Sequence, residues 1–300
     1  MYSHRITVFT PTYNRAYILE ELYTSLKKQK FLDFEWLIVD DGSTDNTELL
    51  VQKWKKESNF EIRYFKTSNG GKHRAINYGL SLANGELFFT MDSDDTLTED
   101  ALFKIDNWFK ALNAAEGFCG ISANKGYSAA NTTNHLFNDS HLDKTWLETY
   151  LYEEKGALVL RGERAIVFYT DFHKKYRYPE FDGENFMTEA VVYNRMAHDG
   201  YKMRFFNDII WIFEYRDDGL TKAGNTLFLN NPRGYGLWLR EKAEFENRSS
   251  VYKLRMFYTF SCDLKDKYDA KIIAECIGTK PVVIKCMLAL HKAVRFIKRK

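Results

Sequence analysis

At 300 residues, with 45% hydrophobic and 28% charged residues, the chain has room for one large or two modest domains, and its balance excludes a disordered or low-complexity protein. Lys+Arg 43 against Asp+Glu 41 leaves a net charge of +2, which excludes a whole-surface grip on nucleic acid. The four cysteines, Cys119, Cys262, Cys276 and Cys286, show neither a CxxC pair nor zinc-finger spacing to histidine. Neither structural zinc nor a disulfide framework is expected, and a reducing cytoplasm is the simplest compartment.

In the opening run MYSHRITVFTPTYN, Arg5 and Thr7 break what an export signal would need as a continuous apolar core. Residues 6–10 read as a strand, and Leu19, Leu22, Tyr23 and Leu26 then recur at helical spacing. A second strand covers 36–39. Asp45 followed by Glu48 reads as an acidic capping box opening a helix to about Lys56. A strand at 62–65, a helix from about 73 to 83 and a strand at 87–91 follow. Thr98, with Glu99 and Asp100 behind it, is expected to cap a helix burying Leu102, Ile105 and Phe109. The order βαβαβαβα predicts an α/β fold with a mostly parallel sheet, since the helices supply the crossovers. From 118 to about 178 the pattern weakens, with short strand patterns at 119–122 and 165–169. Residues 188–197 read as a helix and 209–215 as an aromatic strand. Only helical patterns follow, so the expected division is a catalytic domain over 1–220 and a helical extension over 221–300.

Unusual residues gather at the carboxyl ends of the first four strands: Pro11-Thr12-Tyr13-Asn14-Arg15, Asp40-Asp41-Gly42-Ser43, Asn69-Gly70-Gly71-Lys72 and Asp92-Ser93-Asp94-Asp95. Each alone is an ordinary set of turn formers. In open α/β sheets, however, that edge is where ligands bind, so four such clusters describe one site. Three nearby carboxylates repel one another, and a divalent cation held by oxygen, Mg²⁺ or Mn²⁺, relieves this. An EF-hand fails, because Leu97 and Phe103 stand where its glycine and glutamate belong. Such a metal completes its shell with substrate phosphates, and Gly70-Gly71-Lys72 ahead of a helix offers backbone N–H groups and a lysine charge to the same anion.

TPTYNR, VDDGSTDNT, NGGKHRAINYGL and GELFFTMDSDD, in this order and spacing, resemble the nucleotide-sugar-binding half of family 2 glycosyltransferases, strongly over about 5–100 and more weakly to about 221. The resemblance implies a GT-A fold, a nucleoside-diphosphate-sugar donor, a divalent metal and inversion at the anomeric carbon. It makes Pro11 and Tyr13 the turn packing on base and ribose, with Arg15 beside them, and Asp41, next to Asp40, the reader of the base edge. Ile76 stands where many relatives carry an arginine, so the diphosphate contact falls to Lys72 or Arg74. Asp92 and Asp94 match the metal-and-ribose DxD, with Ser93 between them and Asp95 adjacent. The family's acceptor-activating acid pair becomes Thr188-Glu189-Ala190, which leaves Glu189 as general base and Glu184 in reserve. Arg216, before Asp217-Asp218-Gly219-Leu220-Thr221, is expected on a loop closing over the diphosphate. A uridine base is what many relatives use.

Two other readings stay open. Asp92-x-Asp94-x-Thr96 fits the nucleophile motif of haloacid-dehalogenase-like phosphatases, and Ala190 is compatible with an inactive sugar-nucleotide-binding protein of the same fold. The processive members' QxxRW motif is absent, as is any uncharged apolar stretch of ~18–20 residues, so a single hexosyl addition is expected. The resemblance implies, as acceptor, a glycan or lipid-linked saccharide of surface polysaccharide synthesis. In the C-terminal segment from Pro281, Val283, Met287, Leu290, Val294 and Ile297 form an apolar stripe. Lys285, Lys292, Arg295, Lys298, Arg299 and Lys300 form its basic complement, suited either to docking on the fold or to lying on an anionic membrane surface.

Overall fold

The computed structural model describes residues 2–216 and 224–297, with 291–297 as backbone only. These separate into two compact units, one formed by residues 1–178 and 195–215 and the other by 179–194 and 216–300. The second unit thus takes in a segment, 179–194, that a single cut after residue 220 leaves in the first.

The first unit is built on one mixed sheet. Its elements run β1 (His4–Thr12), α1 (Leu19–Lys27), β2 (Phe34–Asp40), α2 (Thr47–Glu57), β3 (Glu61–Lys66), α3 (Lys72–Leu82), β4 (Gly85–Thr90), β5 (Thr96–Leu97) and α4 (Ala101–Lys110). Then come β6 (Phe118–Gly126), β7 (Leu142–Thr145), β8 (Arg164–Tyr169), α5 (Thr170–Lys175), α6 (Ala190–His198), whose residues up to Asn194 count with the second unit, and β9 (Lys202–Ile212). The strand order is β3-β2-β1-β4-β8-β6-β9-β5, with β7 also on β9. The four N-terminal strands are parallel, as expected for βα units. β8 then runs antiparallel to β4 and β6, while β9 returns parallel to β6.

Every residue of β2 is buried, including Glu35 and Asp40. The Glu35 carboxylate is satisfied by the Thr7 hydroxyl at 2.6 Å, the Asn84 N–H at 2.6 Å and the Arg63 guanidinium at 2.8 Å, so the sheet interior carries no unpaired charge there. On one face Tyr23 of α1, Trp36 of β2 and Trp54 of α2 form a triangle of rings, with centroids 6.1 Å (Tyr23–Trp36), 4.6 Å (Tyr23–Trp54) and 6.0 Å (Trp36–Trp54) apart. Each aliphatic or aromatic side chain fully removed from water in this cluster contributes about 1.5–3 kcal/mol. On the other face α3 lies close to β1: a Cβ at Gly79 would stand 2.2 Å from the Phe9 ring, so only glycine lets the helix sit flush there and bring Lys72, at its N-terminus, to the sheet edge.

Local details depart from the sequence reading. α2 starts at Thr47, not at Asp45. Asp45 lies outside the helix and accepts from the Thr47 N–H and hydroxyl at 3.1 and 2.6 Å and from the Ala16 N–H at 2.9 Å, a loop-to-loop tie instead of a capping box. The Thr98 hydroxyl donates to Asp100 at 3.0 Å, and Asp100 takes the cap position of α4 without a side-chain cap bond. β9 begins at Lys202, seven residues before the expected 209, because its first half, KMRFFND, mixes polar residues into a strand that pairs on both sides.

The second unit holds α7 (Asn225–Asn230), α8 (Pro232–Phe245), α9 (Ser250–Leu264), α10 (Ala270–Cys276) and α11 (Pro281–Ile297). Its core gathers Leu239, Phe260, Leu264, Ile273, Ile277 and Ile284. α11 docks through Ile284 with Met287 and Leu288 against it, while Val282 and Leu290 are 59% and 62% exposed. Pro281 opens the helix, as its fixed φ favours. Leu290, placed in the apolar stripe by sequence, is therefore outside the docked face. The side chains of Lys292, Val294, Arg295 and Ile297, and all of Lys298, Arg299 and Lys300, lie outside the described residues, as do Asp217–Thr221.

Candidate functional site

The loops after β1, β2, β3 and β4 are tied to one another in sequence at the carboxyl edge. Asn14, held at φ 52°, donates its N–H to the Ser43 hydroxyl at 2.8 Å and accepts from the Thr44 N–H at 2.8 Å. Asp40 is fully buried, and its oxygens accept from the Ser43 N–H at 2.7 Å and the Tyr64 hydroxyl. Each oxygen thus holds one loop contact, and these two bonds make Asp40 the organiser of the loop. Gly42 sits at φ +85°, where a Cβ would meet the Asn69 nitrogen at 2.8 Å.

Asp41 spans the next gap. Its carboxylate accepts from the Gly70 and Gly71 N–H groups at 2.7 and 2.8 Å, and its backbone carbonyl accepts from the Asn69 amide at 2.9 Å. Those two N–H groups are therefore not bare for an anion, as the sequence led us to expect. Burial pushes the Asp41 carboxyl above the ordinary carboxylate range, and the two glycine N–H groups offset part of this. The Arg74 guanidinium turns back to donate to the Gly70 carbonyl at 2.8 Å. Tyr13 is half exposed at the mouth, Pro11 is still in register with Val39 of β2, and Arg15 donates to the Tyr17 hydroxyl at 2.6 Å.

The fourth loop carries the charge. Lys72 donates to Asp92 Oδ1 at 2.7 Å, and Lys125 Nζ stands 3.7 Å from Asp92 Oδ2. Lys125 lies on β6 opposite Trp211 of β9, with its Nζ 3.6 Å from the indole centroid. The Trp211 indole N–H in turn donates to Asp95 Oδ2 at 2.7 Å. Burial works against the Asp92 charge, but the two lysines outweigh it and hold the carboxyl at about 2. Asp95 is pushed the other way, to about 7, first by burial and then by the Asp92 charge, with Lys125 and Trp211 opposing. Ser93 is buried between them, and Asp94 is half-buried with no hydrogen bond or ion pair among the described residues.

Among the described residues no group of three or more His, Cys, Asp or Glu converges as a metal cage. The donor set instead fits an ion held by one or two carboxylates and completed by substrate phosphates, the usual pattern for Mg²⁺. Asp94 and Asp92 are the suitable oxygens. Asp95 already has one oxygen engaged by the Trp211 indole.

The reserve base, Glu184, has another task. It is buried in the second unit, where its two oxygens accept from the Arg233 and Gly234 N–H groups at 2.7 and 2.9 Å, satisfying the N-terminus of α8. Glu189 directly precedes α6 and accepts from the Tyr193 hydroxyl at 3.4 Å. Arg216 also belongs to the second unit. Sequence reasoning missed Lys125 and Trp211. The available signal was a lone lysine at the carboxyl end of an apolar strand, the same logic that located the other four clusters.

The family pattern described as Glycosyl transferase family 2 matches residues 7–176. Poly(ribitol-phosphate) beta-N-acetylglucosaminyltransferase TarS of Staphylococcus aureus strain Mu50 is 37% identical over 100 residues, 33% of this chain and 18% of that protein. A GalNAc(5)-diNAcBac-PP-undecaprenol beta-1,3-glucosyltransferase of Campylobacter jejuni is 31% identical over 142 residues, 47% of this chain and 44% of that protein. The matched regions thus span less than half the length of either relative. In fold, the chain is similar to S. aureus TarS in complex with UDP-GlcNAc (TM-score 0.58, 16% identity, 94% of this chain and 90% of that one). It is also similar to the Pyrobaculum calidifontis mannosyltransferase PcManGT in complex with GDP-Man and Mn²⁺ (TM-score 0.56, 18% identity, 99% and 81%). The likeness in three dimensions carries the GT-A architecture, and with more than half of its residues matched by the family pattern, the chain belongs to glycosyl transferase family 2.

Proposed function

We propose that this protein is an inverting, non-processive glycosyltransferase that moves one hexosyl unit from a nucleoside-diphosphate-sugar, with uridine as the base, to a hydroxyl of a glycan or lipid-linked saccharide in surface polysaccharide synthesis. The observation that carries the reading is Asp92 held between Lys72 and Lys125, at an edge where four strand-end loops are tied into one surface. TarS in complex with UDP-GlcNAc supports a UDP-sugar, and the undecaprenol-linked substrate in the name of the Campylobacter relative supports a lipid-linked acceptor. With the family established, Asp92-x-Asp94-x-Thr96 has no separate claim as a phosphatase nucleophile.

In this reading Pro11 and Tyr13 receive the base and ribose, and Asp41, whose oxygens each keep a lone pair beside the glycine bonds, faces the base edge. A divalent cation, Mn²⁺ or Mg²⁺, would be held by Asp94 and Asp92 and would supply Lewis-acid neutralisation of the leaving diphosphate. Lys72 and Lys125 set a fixed positive field where that negative charge grows, which needs no reorganisation during the reaction. Glu189 takes the proton of the acceptor hydroxyl as it attacks the anomeric carbon from the face opposite the leaving group. Arg216 is a further basic residue assigned to the leaving diphosphate. The second unit brings α11 and its basic end to an anionic membrane surface, and among the described residues no helix is long and apolar enough to cross a membrane.

The test is a screen of nucleotide sugars with Mn²⁺ for donor hydrolysis, read as release of the nucleoside diphosphate. Turnover of one UDP-sugar above the others is expected. Release from none of them, with a phosphomonoester hydrolysed instead, overturns the reading.

A further inference from the structure

Beyond Lys125 the two strands carry a second feature that the donor site does not use. Trp211, Phe213 and Tyr215 follow one another at every second residue along β9 and its continuation, and Lys125 and Tyr127 do the same along β6 and its exit. The contacts place them on one face. Lys125 sits over Trp211 at 3.6 Å, the Tyr127 ring lies 4.9 Å from Phe213, and Tyr215 lies 5.3 Å from Phe213 and 6.3 Å from Tyr127. Exposure rises along the series: Trp211 is 3% and Phe213 6% exposed, whereas Tyr127 is 47% and Tyr215 62% exposed. The result is an aromatic row that starts beneath the acidic loop and ends as two open tyrosine rings backed by a buried phenylalanine.

The backbone holds this surface in place. The Phe213 N–H donates to the Gly126 carbonyl at 3.0 Å, and the Tyr127 N–H donates to the Asn131 carbonyl at 2.8 Å. A Cβ at Gly126 would stand 2.4 Å from the Asn131 oxygen, so the turn after β6 folds tightly against the strand end and fixes the direction of Tyr127.

We infer that Tyr127 and Tyr215 form a stacking platform for the saccharide ring of the acceptor, a reading that rests on the proposed glycosyl transfer. A pyranose presents a face of C–H groups bearing partial positive charge, which matches the negative face of an aromatic ring, and its hydroxyls match the two phenol groups. Tyrosine supplies such contact area with little side-chain freedom to lose. Location selects the acceptor. The platform starts two residues beyond Lys125, about 7 Å along an extended strand, on the outward side of the diphosphate-facing lysine. An acceptor hydroxyl has to be held within a near-attack distance of the donor carbon.

Saturation-transfer NMR on the full chain tests this with methyl β-D-glucopyranoside, methyl β-D-galactopyranoside and methyl N-acetyl-β-D-glucosaminide as probes, in the presence of UDP and Mn²⁺. At least one glycoside should receive saturation on its ring protons. Tyr127→Ala with Tyr215→Ala should cut that signal about fivefold or more, while the paired Phe variants keep most of it. UDP affinity should stay within about twofold throughout. If circular dichroism finds the double alanine variant misfolded, Tyr215→Ala alone decides, since that side chain is mostly in solvent. Three results overturn the inference: UDP binding with no saturation of any glycoside, an undiminished signal in the alanine variants, or weakened UDP-GlcNAc with UDP unchanged, which assigns the platform to the donor's sugar. Failure of the wild-type protein to bind UDP would refute the transferase reading itself and the platform with it.

Discussion

Lys125 reaches the donor edge of the sheet lying on the face of Trp211, its Nζ 3.6 Å from the ring centroid and 3.7 Å from an Asp92 oxygen. A lysine in this position is held by a cation–π contact on one side and a carboxylate on the other, so its charge is fixed in place. Lys125→Met removes the charge and keeps the stem. It should lower donor turnover by about 10²-fold, the scale for losing one preorganised electrostatic group, with Lys125→Arg recovering part of it. Steady-state kinetics on a UDP-sugar provides the measurement, and a Met variant at wild-type turnover would remove Lys125 from the site.

The two glutamates of the second unit should separate cleanly. Glu189→Gln is expected to keep donor affinity and lose transfer by about 10²-fold or more, as for a removed general base. Glu184→Gln is expected to keep the rate and lose about 1–2 kcal/mol of stability, because its oxygens cap α8. Rates and urea midpoints for both variants check this. The reverse pattern would exchange their roles.

His173 gives the pH dependence of stability. It is buried among Phe88, Phe168 and Tyr178, and neither ring nitrogen has a hydrogen-bond partner among the described residues. Burial pushes its pKa down to about 3. The folded pKa lies below the unfolded value near 6.5, so the unfolded chain takes up the proton first. The stability held by neutral His173 is therefore complete above about pH 6.5 and is lost as pH falls toward 3, at up to ~1.4 kcal/mol per pH unit. His173→Phe should flatten that part of the acid limb while costing little at pH 8, and urea unfolding at pH 4.5 and pH 8 reads the difference. Parallel losses in both proteins would mean that His173 is not the group responsible.

Co-sedimentation with liposomes examines the C-terminal helix. Binding to anionic vesicles but not neutral ones is expected, falling with added salt. Loss of binding on truncation at Thr279 would assign it to α11. Equal failure with both vesicle types, or binding unchanged by truncation, leaves α11 as packing for the second unit through Ile284 and Met287.

The N-terminal half of the fold was legible because its inner parallel strands are largely apolar runs, and each of the four parallel strands is followed by a visible cluster of turn residues. The same regularity located Lys72, Asp92 and Asp94. Lys125 stayed hidden because its role depends on β6 pairing with β9, a long-range match with register shifts that no local period announces. The structural duties of Asp40 and Glu184 stayed hidden for a related reason. An acid that caps a loop or a helix from a distance looks, in sequence, like an acid that meets a ligand, and only the partners of its oxygens distinguish the two. The bare glycine N–H groups failed likewise, since Asp41 and Gly70 come from loops that meet only in the folded edge.

Titration calorimetry of a UDP-sugar into the wild-type protein and Asp94→Asn, each with Mn²⁺ and with EDTA, most directly tests the central claim that this edge is a metal-assisted nucleotide-sugar site. The account predicts binding by the wild-type protein that weakens about tenfold or more in EDTA, and an Asp94→Asn variant that folds normally but binds weakly under both conditions. Equal affinity in Mn²⁺ and EDTA, unchanged by Asp94→Asn, would contradict it.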